Sequence, residues 1–110
     1  MNVQFKKGVL ELVVLEEIKK TDQYGYELSQ NIGKHLSIAD GTLYPMLRRL
    51  VKEGVLETYS GKESSGPARK YYKITDSGRI HLEALKVEWR ELVSAVELLI
   101  SEKEGYIDEI

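Results

Sequence analysis

Three side chains suited to nucleic-acid contact, Tyr44, Arg48 and Lys52, recur at intervals of four residues. This spacing places them on one face of an α-helix, opposite an apolar face. Arginine reads guanine or clamps phosphate, lysine supplies charge, and a tyrosine hydroxyl donates to phosphate. The pattern therefore predicts a helix face able to enter a DNA groove, although such stripes also occur on solvated helices. The same segment adds Thr42, Pro45 and Arg49 to the candidate contacts.

A second basic element lies further along the chain, where Lys62, Arg69 and Lys70 flank a loop rich in serine and glycine. The loop, Ser60 to Ala68, is too long for a tight hairpin turn. Small residues let backbone N–H groups approach phosphate, and arginine fits a narrow minor groove. The alternative is a loop that is merely exposed. Two basic elements that flank one helical unit support DNA binding more strongly than either element would alone.

The spacing of apolar residues predicts the helices that position these side chains. A helix from about Phe5 to Lys20 is apolar on several faces and therefore buried. A short helix follows from Tyr24 to about Gly33, with Thr21 or Asp22 as its N-cap. A third helix begins near Asp40-Gly41-Thr42, carries Pro45 in its first turn and ends at Gly54. Its predicted apolar face consists of Leu43, Met46, Leu47, Leu50 and Val51.

Strand patterns and one long helix complete the chain. Val55 to Tyr59 and Lys70 to Ile74 are rich in β-branched and aromatic residues, which predicts a hairpin. A helix from about Ser77 to about Lys103 follows, capped by Thr75 or Asp76. The predicted fold class is mainly α with a β-hairpin wing. It divides into a winged helix-turn-helix domain over 1–75, and a C-terminal dimerisation helix with an acidic tail over 76–110.

Apolar residues of the last helix are spaced alternately by three and four, which is a heptad seam. The seam could pack on its own domain or on a second copy. We favour a two-fold homodimer, because a helix of about 40 Å exceeds one face of a small domain. The predicted dimer interface is Leu82, Leu85, Trp89, Leu92, Val93, Val96, Leu99 and Ile100.

Composition limits the other function classes. The net charge is −2, but residues 41–80 hold eight Lys/Arg against four Asp/Glu, which leaves a basic centre. The chain has no cysteine, so disulfides and thiolate metal sites are excluded. His35 and His81 fit no catalytic or metal-binding pattern, so we expect no enzyme activity, cofactor or metal. No segment resembles a membrane span or a signal peptide, and a cytoplasmic location is expected.

Several motifs occurring together resemble the PadR-like transcriptional regulators, over about residues 9–80. These motifs are Tyr24-Gly25-Tyr26-Glu27-Leu28, Gly41-Thr42-Leu43-Tyr44-Pro45-Met46-Leu47-Arg48-Arg49-Leu50, Gly54, Gly66-Pro67-Ala68-Arg69-Lys70-Tyr71-Tyr72-Lys73-Ile74-Thr75 and Gly78. The resemblance implies a winged helix, a C-terminal dimerisation helix, palindromic operators and usually repression. It places DNA contacts at Thr42, Tyr44, Pro45, Arg48 and Lys52, with the wing from Lys62 to Lys70.

The short C-terminal region resembles the smaller PadR-like subgroup, which has a single C-terminal helix. In some small members, aromatic residues near the dimer axis hold a flat ligand, and Trp89 lies in the corresponding helix. Trp89 is thus a candidate site for a small aromatic effector, although packing within the seam is an alternative role. A winged helix used for protein–protein contact without DNA is the rival function. The basic centre of the chain argues against that rival.

Overall fold

The computed structural model describes residues 3–61 and 68–106. Along these ranges the elements run helix, strand, two helices, two strands and a long helix. Their bounds are α1 (Val3–Lys20), β1 (Gln23–Tyr24), α2 (Gly25–Gly33), α3 (Asp40–Lys52), β2 (Leu56–Ser60), β3 (Lys70–Ile74) and α4 (Asp76–Tyr106). Predicted element types and order are confirmed, with β1 as an addition. Lys62, predicted to lie in the basic wing, falls outside the described residues.

Helix α1 forms the centre of the domain, as its apolar faces predicted. It packs against α2, β3 and α4. Val14, Leu15 and Ile18 are almost fully buried, and they meet Leu28 of α2 in the same core cluster. Burying side chains of this size removes most of their apolar surface from water, which is the main force holding the helices together.

The start of α2 differs from the prediction. Tyr24 occupies the N-cap position in extended backbone and makes no side-chain capping bond. Asp22 instead accepts a hydrogen bond from the Tyr59 hydroxyl at 2.6 Å, so the predicted cap is wrong. Gln23 is buried in β1, where its amide donates to the Glu17 carbonyl at 2.8 Å and accepts from Asn31 Nδ2 at 2.9 Å. These bonds satisfy a polar group that would otherwise destabilise the core.

Helix α3 confirms the predicted apolar face, with Leu43, Leu47 and Leu50 fully buried. It begins at Asp40, so Pro45 lies inside the helix in its second turn, not in the first. The missing proline N–H leaves the Gly41 carbonyl without its usual helical donor, and Gly41 is exposed to solvent. Beyond the helix end, Gly54 has a φ of 79°, which explains the glycine there.

Antiparallel strands form a sheet in the order β1-β3-β2. Tyr71 of β3 lies opposite Tyr24 of β1 and Tyr59 of β2, so three tyrosines cross the sheet on one face. Tyr72 points to the opposite face and is buried in the core, as period-two alternation requires. The central strand β3 therefore pairs on one side with β1, which precedes α2, and on the other side with β2, which leads into the wing.

Helix α4 begins where the Thr75 hydroxyl accepts a hydrogen bond from the Gly78 N–H at 3.0 Å, which confirms Thr75 as its cap. The same hydroxyl donates to the Gly54 carbonyl at 2.7 Å and so ties the end of α3 to the start of α4. The helix has 31 residues, about 46 Å of length, while the structure measures 68 × 27 × 20 Å overall. Much of α4 thus extends beyond the domain that carries the wing.

Candidate nucleic-acid interface

The outward face of α3 carries Pro45, Arg48 and Lys52, which are all exposed. These positions lie opposite the buried leucines of the same helix, so the core holds the row in a fixed direction. Exposed cations on a rigid helix can meet phosphates and the hydrogen-bonding edges of bases. The structure therefore brings together three of the six predicted α3 contacts in one solvent-facing row.

Tyr44 stands at one flank of this row, half-buried against α2. A Cβ atom added to Gly25 would lie 2.5 Å from Tyr44 Cε1, so the tyrosine ring occupies the space that a side chain would fill. The absence of a side chain at the first residue of α2 thus permits Tyr44 to sit beside the exposed row. This contact gives a physical reason for the glycine of the Tyr24-Gly25-Tyr26 motif.

Arg49 lies at the other flank and turns toward α1. Its guanidinium donates to the Glu11 carboxylate and also to both carboxylate oxygens of Glu53, at 3.0 and 3.1 Å. The hydrogen bond to Glu11 raises the pKa of Arg49, and this effect outweighs that of burial. Thr42 lies on the same side, in an open groove between α1 and α3. Arg49 and Thr42 were predicted with the outward row, but the structure places them beside it.

Glu11 is the acidic centre of this flank. Burial would raise its pKa, but hydrogen bonds from His81 and Arg49, together with their charges, lower it below the usual value. His81 Nε2 lies 2.7 Å from Glu11 Oε2, so α4 joins the same carboxylate. One ionised side chain of α1 consequently bonds to both α3 and α4.

Arg69 and Lys70, at the base of the wing, are both exposed. The Arg69 guanidinium carbon lies 4.5 Å from the centre of the Tyr24 ring, within the range of a cation–π contact. Tyr24 in turn meets Tyr71 edge to face, with ring centres 5.5 Å apart, and Tyr71 stacks on Tyr59 at 5.6 Å. We call Tyr24, Tyr71 and Tyr59 the tyrosine row.

The tyrosine row is anchored at its far end by Asp22. The hydrogen bond from the Tyr59 hydroxyl to that carboxylate raises the pKa of Tyr59 to about 12. Gly61 packs its backbone against the Tyr71 ring, where an added Cβ would lie 2.2 Å from Cε1. The wing therefore begins on an aromatic base that contacts all three strands.

The predicted dimer seam divides into two parts along α4. Leu82 is fully buried in the core of its own domain and Leu85 is partly buried against that core. The prediction that Leu82 faces a second copy is therefore wrong, because the globular domain already covers its side chain. Val93 is half-buried. The remaining seam residues are exposed, namely Trp89, Leu92, Val96, Leu99 and Ile100.

Trp89 also borders an open groove between α1 and α4. Gly8, Val9 and Leu12 form the α1 side of the groove, and Leu85 and Leu92 continue its apolar surface on α4. The indole is 37% exposed, so it remains accessible from solvent within one protomer. In the described part of the chain, no set of three His, Cys, Asp or Glu side chains could hold a metal ion. No described helix is long and apolar enough to cross a membrane.

The helix pair α2–α3, followed by a basic wing on a three-stranded sheet, defines a winged helix-turn-helix, a DNA-binding class of fold. Residues 14–84 match the transcriptional regulator PadR-like family. The chain belongs to this family, and it is a PadR-family transcriptional regulator. Since the family consists of regulators rather than enzymes, the expectation that the chain is not an enzyme is confirmed.

Individual relatives agree with this assignment. The crystal structure of a PadR-like regulator from Bacillus cereus is 41% identical, with a TM-score of 0.81, and the match covers 88% of this chain and 96% of the other. A transcriptional regulator of Mycobacterium tuberculosis is 30% identical over 84% of this chain and 87% of its own length. Bacillus subtilis PadR, solved in complex with operator DNA, is 26% identical with a TM-score of 0.62, covering 69% of this chain and 45% of that one.

Sequence patterns missed several residues that shape the interface. Glu11 was given no contact role, and Tyr24 and Gly25 were used only as a motif. Glu11 lies 38 residues from Arg49 in the sequence, and Asp22, which was predicted only as a cap, lies 37 residues from Tyr59. Helical or strand periodicity carries no signal for such contacts. Tyr59 and Tyr71 on the two predicted strands were the one available indication of the tyrosine row, whereas Tyr24 was predicted to begin a helix.

Proposed function

We propose that this protein is a homodimeric repressor that inserts α3 into the major groove of a palindromic operator. The observation that carries the proposal is the exposed row of Pro45, Arg48 and Lys52, held by a buried opposite face and flanked by Tyr44. A recognition helix requires this combination of rigid support and outward hydrogen-bond donors. Bacillus subtilis PadR, a relative solved in complex with operator DNA, supports the DNA-binding part of this proposal.

The wing provides the second contact. Arg69 and Lys70 are exposed at its base, next to the start of α2, which also contacts Tyr44. In this arrangement the wing cations lie against the phosphate backbone or the minor groove adjoining the site of α3. Lys62 is proposed to add charge from the loop itself.

Homodimerisation is proposed from the exposed half of the seam. Leu92 is 51% exposed and Leu99 is 70% exposed, and together with Trp89 and Val96 they keep heptad spacing along α4. A continuous apolar stripe of this kind is unfavourable in water and is typical of a surface covered by a partner. Two-fold symmetry would then present two α3 helices to two half-sites, which accounts for a palindromic operator.

Repression is proposed because such a dimer, bound at a promoter in the cytoplasm, would exclude polymerase from that promoter. Relief by a small aromatic effector is proposed from the groove beside Trp89, which combines an accessible indole with apolar walls. Because Trp89 is the only tryptophan, its fluorescence reports on the surroundings of this one side chain, which include the groove and the proposed dimer seam. Quenching by planar aromatic cations would support the effector site, and no response across a panel of such compounds would contradict it.

Fluorescence anisotropy tests the proposed DNA binding. Labelled 40-bp duplexes tiling the region upstream of the protein's own gene are titrated at low and at physiological salt, with unlabelled competitor DNA. Tight binding to one duplex that weakens steeply with salt is expected, because each neutralised phosphate releases counterions. Arg48→Ala should weaken this binding by about 1–3 kcal/mol, while the matched control Arg90→Ala, a charge removed from α4, should bind like the wild type.

The competing function is protein–protein contact by a winged helix without DNA. It predicts no binding to any duplex even at low salt, and equal behaviour of the Arg48→Ala and Arg90→Ala variants. Binding that competitor DNA abolishes would contradict sequence specificity and leave a general DNA-binding protein.

A further inference from the structure

Tyr24 and Gly25, neighbours in sequence, touch the two DNA-facing elements of the proposed interface. The Tyr24 ring lies under the Arg69 guanidinium, and the Gly25 backbone lies against the Tyr44 ring of α3. The start of α2 is therefore the point at which the wing and the recognition helix are aligned with each other. A displacement of Tyr24 would move the wing arginine relative to the row on α3.

Arg69 is held in place both by its backbone and by its side chain. Its backbone carbonyl accepts a hydrogen bond from the Gly61 N–H at 2.7 Å across the base of the wing. Its side chain stacks on Tyr24, which Tyr71 supports edge to face, and Tyr59 stacks on Tyr71 behind it. A guanidinium stacked on a ring keeps its N–H groups at the edge of the plane, where they can meet phosphate or base acceptors.

We propose that Tyr24 is a positioning residue for DNA binding, which holds the Arg69 guanidinium ready to contact the duplex beside α3. This inference rests on the proposed function. An arginine has many rotamers, and immobilising such a side chain on binding weakens association by about two- to tenfold. The Tyr24 ring removes that loss in advance, because it restricts Arg69 in the free protein. The Tyr24 hydroxyl is not required, since the contact involves the face of the ring.

A double-mutant cycle on the duplex that the wild type binds most tightly tests this role. Tyr24→Leu should weaken binding by about two- to tenfold, while Tyr24→Phe, which keeps the ring, should bind like the wild type. Arg69→Ala should weaken binding at least as much as Tyr24→Leu does. It should also lower the slope of log K against log salt concentration by about one, because one phosphate contact is lost. If Tyr24 acts through Arg69, adding Tyr24→Leu to Arg69→Ala should cause no further loss.

Additive losses in the double variant would overturn the inference, since Tyr24 would then act independently of Arg69. A Tyr24→Phe variant as weak as Tyr24→Leu would also overturn it, because the ring face would not be the operative group. Thermal unfolding of each variant, with Tyr24→Phe as reference, separates these results from a general loss of stability.

A second measurement requires no DNA. In NMR spectra of the free protein, the Arg69 Hδ protons should be shifted upfield by the Tyr24 ring and return to ordinary values in Tyr24→Leu. Unshifted Arg69 protons in the wild type would overturn the inference even if DNA binding is normal. Failure of the wild type to bind any duplex would instead refute the proposed function, before any wing variant is compared.

Discussion

His81 Nε2 donates a hydrogen bond to Glu11 Oε2 at 2.7 Å, joining the first turns of α4 to α1. The same carboxylate receives the guanidinium of Arg49 from α3. Glu11 has a side chain only 17% exposed, so these bonds are partly shielded from water. The contact links the helix proposed for DNA recognition to the helix proposed for dimerisation through one titratable group.

Replacing Glu11 by glutamine should destabilise the fold by about 1–2 kcal/mol at pH 7, because charge-assisted hydrogen bonds from two helices are lost. The pKa of Glu11 is lowered in the folded state, so its contribution is present above the ordinary value of 4.5 and disappears as the pH falls below it. Urea unfolding of the wild type and Glu11→Gln should therefore differ at pH 7 and converge in acid. Glu57→Gln, an exposed carboxylate on β2, is the control. A difference that persists unchanged at pH 3 would contradict the assignment to ionised Glu11.

The two adjacent arginines of α3 should behave differently. Arg48→Ala should weaken operator binding by about 1–3 kcal/mol with little change in the free energy of unfolding, since Arg48 is exposed on the outward face. Arg49→Ala should lower stability, because it releases Glu11 and Glu53. Anisotropy and urea unfolding on both variants separate the two effects. If both variants lost the same free energy of unfolding, Arg48 would also stabilise the fold, which would contradict its assignment to DNA contact alone.

Gly78→Ala should be strongly destabilising, by about 2–4 kcal/mol, although alanine favours helices. A Cβ atom at this position would lie 2.1 Å from the Val55 carbonyl oxygen, which is backbone and cannot rotate away. Gly41→Ala, in a helix with nothing within 4 Å of the added atom, should be neutral or stabilising. Thermal unfolding compares the two variants. A Gly78→Ala protein as stable as Gly41→Ala would refute this close approach of α4 to the Val55 carbonyl.

Dimerisation through the exposed seam can be tested with a matched pair on α4. Leu92 and Val87 are 51% and 52% exposed, but only Leu92 belongs to the heptad seam. Leu92→Lys should therefore shift the protein to monomer in light scattering after gel filtration, because a buried interface does not tolerate an unpaired charge. Val87→Lys should leave the dimer intact. The reverse result would place the partner on the other face of α4.

Much of the fold was predictable because its elements carry strong local signals. The alternation in β3 and the apolar spacing in α3 each identified an element, and Thr75, one of the two predicted caps of the last helix, makes the capping bond. β1 was missed because two residues are too few for any periodicity to appear. Pro45 was placed one turn too early, since no capping side chain marks the start of α3 at Asp40. Arg49 and Leu82 were assigned outward roles because spacing within one helix does not reveal a neighbour from another.

The sheet order has a consequence for how the protein behaves when crowded. With β3 in the centre, β1 forms one edge of the sheet and β2 the other. The β1 edge is only two residues long, too short to template the addition of a foreign strand. Along β2, Glu57, Thr58 and Ser60 are exposed beside Tyr59, and their polar side chains discourage the dry contacts on which fibrils depend. Among the described residues, one edge of the sheet is thus very short and the other is mostly polar, and both features disfavour aggregation through strand pairing.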